Sequence, residues 1–534
     1  MKYLVYAIVV VLVLASCAKK GTLTGGPKDE DPPVFVSASP EYETTNFDAK
    51  KIKITFNEYI KLDDVSKQLI VSPPLNYPSE ITPLGSASKT ITIKIKDTLS
   101  PETTYSFNFG NSVRDNAENN VYGNFKYVFS TGDYIDSLSI NGSVNNAIGI
   151  APAIESTIML YPLDTTFKDS TVYKDKGLYV GNTLDSTVFN LSNIKDGVYQ
   201  VIALQDKSSN YIYDPKEDLI GFLEKPLELP RDTTALELTL FKEILPFKLY
   251  APKELFQGHI IFPFEGPLPN DLKLEILQPN TLEGYSMIKE ADKDTLNFWY
   301  DRELQDSIQF KLSYQNQKID TFTTLLRTKK FDSLTIKSLN RNILELEDDF
   351  QLALNQPLAS IDSSLFSVKD IDSIDIPYKL DYIKESRRIK LQFDKQEKNE
   401  YRIEILPSAI KTLYQESLDT LNFKLRTRSL EDYGELSMSF KNDSDKIEQL
   451  IVELLSTKEE ILRVSKTTSD QKVKWVNIKP GDYMVRVKVD ENKNGIWDTG
   501  NFLERQQAEP VYYFPSNITV RANWSENEVL ELID

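Results

Sequence analysis

Two Asp/Asn runs hold the residues best spaced for chemistry. Asp490-x-Asn492-x-Asn494-Gly495-Ile496-x-Asp498 places oxygen donors at alternate positions around a glycine. A calcium loop uses this spacing: side-chain oxygens from Asp490, Asn492, Asn494 and Asp498, and the backbone carbonyl of Ile496. An EF-hand loop closes with a bidentate glutamate, and the corresponding residue here is Asn501. The second run is Asp206, Ser208, Asn210 and Asp214, with Tyr211 where the first has its glycine. Each run also reads as a tight turn satisfied by its own side chains. Calcium and the self-satisfied turn are both open readings, and no other cofactor is expected.

Other chemistry is narrowed by composition. The 534 residues include one histidine, His259, and one cysteine, Cys17. A His/Cys zinc site has too few residues to be built, and no cysteine besides Cys17 exists to act as a nucleophile with a histidine base. His259 in Gly258-His259-Ile260-Ile261-Phe262 reads as a strand-start residue without a catalytic role. No catalytic residue is expected. A hydrolase working with two carboxylates roughly 5–10 Å apart is the remote alternative, since the chain has 80 Asp+Glu. A net charge of −18 argues against nucleic acid, whose phosphates need Lys and Arg.

The elements that must carry these turns are strands. Lys51-Ile52-Lys53-Ile54-Thr55-Phe56, Thr90 to Lys96 and Tyr105-Ser106-Phe107-Asn108-Phe109 alternate apolar and polar residues. That pattern marks a sheet with one buried and one wet face. Asp, Asn, Gly, Ser and Pro clusters interrupt the runs at short spacing, as in β-sandwiches. Ser444 to Leu455 reads equally as a short helix, with Ile447, Leu450, Ile451 and Leu454 on one face, or as strand. The expected fold is all-β: tandem Ig-like and transthyretin-like sandwiches in an elongated array.

An internal duplication sets the domain map. Ile194-Lys195-Asp196-Gly197-Val198-Tyr199 matches Ile478-Lys479-Pro480-Gly481-Asp482-Tyr483, and Asp206 matches Asp490, at an offset of 490 − 206 = 284. Tyr105 to Phe109 matches Tyr401 to Ile405, and Phe129-Ser130-Thr131 matches Leu425-Arg426-Thr427, at 427 − 131 = 296. A two-domain unit therefore occurs twice around a middle segment. The expected domains are I (34–132), II (136–243), III (244–333), IV (334–430) and V (431–534).

Ahead of domain I, Lys2 and an apolar stretch from Tyr3 to Ala15 read as a secretory signal over 1–16. Leu14-Ala15-Ser16-Cys17 resembles the bacterial lipobox, which implies cleavage before Cys17 and acyl lipid on its thiol. Residues 17–33 are Gly/Pro-rich and read as a flexible tether. In domain I, Asp31-Pro32-Pro33-Val34, Ser39-Pro40, Ile52 to Glu58 and Phe129-Ser130-Thr131 resemble bacterial Ig-like domains of the SbsA type. Domain IV looks like a divergent copy, with Leu354-Asn355-Gln356-Pro357-Leu358 at the Phe-Asn-Glu motif. Domains II and V resemble transthyretin-like, carboxypeptidase-regulatory-like modules. The tether followed by an Ig-like module is similar to envelope lipoproteins of Bacteroidota.

The resemblance implies a non-enzymatic outer-membrane lipoprotein, on the periplasmic or the cell-surface face. Its expected role is a multidomain scaffold or accessory subunit that binds other outer-membrane proteins or lipoproteins, as in barrel assembly or secretion. The alternative is a cell-surface lipoprotein that binds a glycan or another ligand, for which Trp299, Trp475, Trp497 or Trp524 would form an aromatic platform. Asp-Ser/Thr steps such as Asp97-Thr98 and Asp185-Ser186 resemble the O-glycosylation acceptor of Bacteroidota, or simply start turns.

Overall fold

The computed structural model describes residues 29–532, apart from 233–234, 280–281, 292, 305, 315–316 and 443–446. Cys17 and the signal segment lie outside the described residues. Of the described residues, 49% are in strands and 3% in helices, and every sheet falls within one of the five segments. In domain I, Lys51–Leu62 buries Ile52, Ile54, Phe56 and Ile60 on one face. It pairs with Phe35–Ser39 and Ser88–Lys94. The facing sheet, Ile70–Ser72, Thr104–Asn108 and Lys126–Ser130, contributes Phe107, Tyr127 and Phe129. Each such side chain adds roughly 1.5–3 kcal/mol by leaving water.

Domains II and V share a less usual feature. Their first and last strands pair in parallel: Leu138–Asn146 with Leu236–Leu240, and Gly434–Asn442 with Ser525–Leu532. All the other paired strands run antiparallel within the described residues. The segment read as either helix or strand is a strand from Gln449 to Ser456. Its residues Leu450 to Leu455 are all buried, so it is covered on both faces and shows no alternation. Such a strand cannot be told from a buried helix by periodicity.

The duplication persists in hydrogen bonds. Tyr105 Oη accepts from Ser100 N at 2.9 Å, and Tyr401 Oη accepts from Gln396 N at 2.7 Å. Asn57 Oδ1 accepts from Val34 N, and Asn355 Oδ1 from Thr335 N. In domains II and V, Tyr199 donates to Lys195 O and Tyr483 to Lys479 O.

One expectation is corrected and one is extended. The last tether residues are held: Asn120 Nδ2 donates to the carbonyls of Asp29 and Asp31 at 2.9 and 3.1 Å. Asn57 then fixes Val34. Flexible tether therefore does not describe 29–33. The sandwiches stand in tandem, and within that array domain V also contacts domain II. Domain II meets III through Lys216 and Glu265 at 3.0 Å. Domain III meets IV where Arg387 grips Glu290 with both nitrogens, at 2.7 and 3.0 Å. Domain IV meets V through Tyr433 and Lys479 on Glu345. Domain V then returns to domain II.

Candidate functional site

The return contact is built from the calcium-like turn and the chain that follows it. Asp490 is buried and accepts from Asn494 N at 3.0 Å and Gly495 N at 2.8 Å. Asn494 Oδ1 accepts from Ile496 N. Asn492 Nδ2 and Asn494 Nδ2 both donate to Asp498 Oδ2, at 2.6 and 2.7 Å. The five residues are therefore one turn, as their spacing requires. The Asp490 carboxylate and both amide oxygens already accept backbone N–H groups, and the two amides turn their nitrogens toward Asp498. This arrangement does not fit a cation without rotation of both amides. Among the described residues, no group of three His, Cys, Asp or Glu side chains is placed to hold a metal.

The copy in domain II has the same turn. Asp206 Oδ2 accepts from Tyr211 N at 2.7 Å, the place of Gly495, and Asn210 Oδ1 from Ile212 N. Tyr211 takes φ 62° where Gly495 takes 82°. A non-glycine residue in this region costs about 1–2 kcal/mol, so surrounding bonds impose the turn. They include a buried carboxylate that spacing did not reveal. Asp218 accepts from Lys207 N and Asp214 N at 3.0 and 2.9 Å. Glu509 accepts from Glu491 N and Asp498 N, both at 2.8 Å. Burial, then neighbouring aspartates, raise both carboxyls above their ordinary values.

These two carboxylates break the 284 offset: 509 − 218 = 291, so domain V has seven extra residues between turn and carboxylate. The longer connection reaches into domain II. Phe502 is fully buried there, with its ring 5.3 Å from Phe222 and 6.5 Å from Tyr173. Phe502 N donates to Glu243 Oε1 at 2.6 Å, Thr499 Oγ1 to Lys242 O and Gln507 Nε2 to Phe222 O, each at 2.8 Å. Arg505 lies over Phe502 and bonds Gln200 and Asp169. Gly500 lies so close that a Cβ would stand 2.5 Å from the Phe241 ring. On the other side, Gly149 N donates to Tyr513 Oη at 2.7 Å. Tyr513 borders a buried cluster in which Arg486 and Lys488 share Glu453, at 2.6 and 2.8 Å. The arrangement can latch one domain to another.

His259 begins the strand His259–Glu265, where the sequence placed it. Its ring stacks on Trp299 at 4.6 Å, and Nε2 lies 2.9 Å from Asn297 Oδ1. Asn297 Nδ2 donates to Glu290, the carboxylate that Arg387 grips. Burial foremost, and then the Arg387 charge, pull the imidazole below its ordinary value. The histidine is thus part of the III–IV contact. The tryptophans do not form a platform: Trp299 and Trp475 are buried, Trp497 packs beside Phe502, and Trp524 stands alone and exposed. Of the Asp-Ser/Thr hydroxyls, Thr98, Ser137, Ser186 and Thr420 are exposed.

The chain was compared with known proteins. No curated protein matches it. Among solved structures, it is similar to domains 1–6 of the surface layer protein SbsC, at 12% identity and TM-score 0.16 over 88% of this chain and 65% of that one. The chain thus spans less than two thirds of that protein. It is also similar to BcpA, the major pilin subunit of Bacillus cereus, at 10% identity and TM-score 0.14, over 74% of this chain and 99% of that one. A third likeness is to the Bacillus anthracis TIE protein, at 10% identity and TM-score 0.14, over 99% and 78%. Likenesses at these scores carry no argument about function. A family match is confined to the start of the described chain: residues 29–131, which include the held tether end, Asn57 and Thr131, match the bacterial Ig-like domain family, Big_5.

Proposed function

We propose that this chain is a non-enzymatic, lipid-anchored scaffold of the outer membrane, an accessory subunit that holds other envelope proteins in place. The observation that carries the reading is the closure of domain V onto domain II. A string of sandwiches joined only end to end lets its surfaces wander, whereas a closed circuit of four domains fixes their separations. Scaffolding needs that fixity, and the bacterial Ig-like match over residues 29–131 supports a non-enzymatic role, although sandwich architecture by itself is compatible with many functions. The lipid anchor rests on Cys17 and the residues before it. Partners are expected to be outer-membrane barrels or other lipoproteins, bound in part by strand addition at sheet edges.

Affinity purification of the tagged protein from gently solubilised envelope, followed by mass spectrometry, tests the proposal. An outer-membrane protein recovered at comparable amount, and lost from a Phe502→Ala variant, supports a scaffold whose geometry matters. Recovery of the chain alone overturns it.

A further inference from the structure

We propose that the cleft between domains I and II binds a short neutral oligosaccharide. The cleft has a volume of about 630 Å³, within the range of roughly 300–1,000 Å³ usual for small-molecule sites. One wall is the outer face of the sheet carrying Ser106, Asn108 and Lys126, and the other is the solvent face of the domain II sheet carrying Asn141 and Asn190. The walls are held together across the seam, with Val180 N donating to Ser72 Oγ and Lys126 Nζ to Ser192 Oγ, each at 3.0 Å.

The chemistry of the lining names the ligand. Asn141 and Asn190 are exposed and sit directly opposite each other on paired antiparallel strands. Cβ atoms so placed are about 4.5–5.5 Å apart, so the two amides stand side by side on the wall of the cleft. The side chains of Asn141, Asn190 and Asn124, and the Ser106 hydroxyl, have no hydrogen-bond partner within the described chain, although neighbouring polar groups are paired. A primary amide offers an acceptor and two donors side by side, and a sugar hydroxyl both donates and accepts. The one cation, Lys126, is matched by one carboxylate, Asp185, so the cleft has no net charge for an anionic ligand. This site is separate from the latch, and it stands or falls apart from the scaffold reading.

The test is isothermal titration of the full-length protein in detergent with maltotriose, cellotriose and chitotriose, alongside sialyllactose and trialanine. The expected result is saturable binding of at least one neutral trisaccharide, weakened tenfold or more in an Asn141→Ala/Asn190→Ala variant. Both residues are exposed and unpaired, so the melting temperature should not change. Absence of binding by all three neutral sugars overturns the proposal. So does binding that survives the double substitution, or tighter binding of sialyllactose or trialanine.

Discussion

Replacing Phe502 with alanine should unlatch domain V from domain II while leaving both domains folded. The ring is fully buried and packs on Phe222 and Tyr173. It belongs to a cluster separate from the inter-sheet cores of domains II and V. A phenylalanine-to-alanine truncation in a packed interior costs about 3–5 kcal/mol, and here that loss falls on the contact between domains. The latch hydrogen bonds of Thr499, Phe502 N and Gln507 remain, each worth a net ~0.5–1.5 kcal/mol. The Arg505–Asp169 pair is about a third exposed and adds little. Phe502 is therefore the largest single contribution. At about 1.4 kcal/mol per factor of ten, the open fraction should rise roughly a hundredfold to a few thousandfold. Small-angle X-ray scattering should show a larger radius of gyration, and calorimetry should resolve one cooperative transition into separate ones. Gly500→Ala, which drives a methyl group against Phe241, should do the same by a different route. Unchanged scattering and a single unchanged transition in Phe502→Ala would refute the reasoning.

Arg387→Ala should weaken the III–IV contact by about 3–5 kcal/mol in denaturant titration, because it strips the partly buried Glu290 of its partner. Stability should also fall in two steps as pH drops. His259 is held below its ordinary 6.5, so the unfolded chain protonates first and stability declines from about that pH, a step that His259→Gln should remove. Burial pushes Glu290 up, but the Arg387 fork carries it further down from 4.5, so its share is complete above that pH and lost below it. For the turn at Asp490 to Asp498, melting curves with millimolar calcium or with chelator should superimpose, since its own bonds already satisfy it. A rise in melting temperature with calcium would assign the cation instead. Cys17→Ser should release the protein from the membrane fraction or leave an unprocessed precursor. Mature protein still in the membrane fraction would refute the lipid anchor.

Much of the fold was legible because its strands have one wet face. The alternation from Lys51 to Phe56 reports such a strand directly, and the 284 and 296 offsets survive as matched tyrosine hydrogen bonds. Gln449–Ser456 was ambiguous because it is buried on both faces, which removes the period. The turns were visible as turns, but their buried carboxylates were not. Asp218 and Glu509 lie at different distances from the first aspartate, and a carboxylate that accepts only backbone N–H groups leaves no pairing in the sequence. The latch was hidden for a related reason. Phe502 reads as one more aromatic residue in a polar loop, and its partners Phe222 and Tyr173 are hundreds of positions away. Only the seven added residues marked the place.

The parallel pairing of first and last strands in domains II and V bears on what happens when the molecule is pulled. In domain V the chain enters at Glu435 and the closing strand ends at Leu532, at opposite ends of a ladder eight residue pairs long. Tension between these points slides one strand along the other. The hydrogen bonds are then loaded together in shear and must break nearly at once. An antiparallel pair pulled from one end would unzip bond by bond. Domain II repeats the arrangement over five pairs. Tension applied along the chain in this direction would be met by the two duplicated sandwiches, whose closing ladders are loaded in shear.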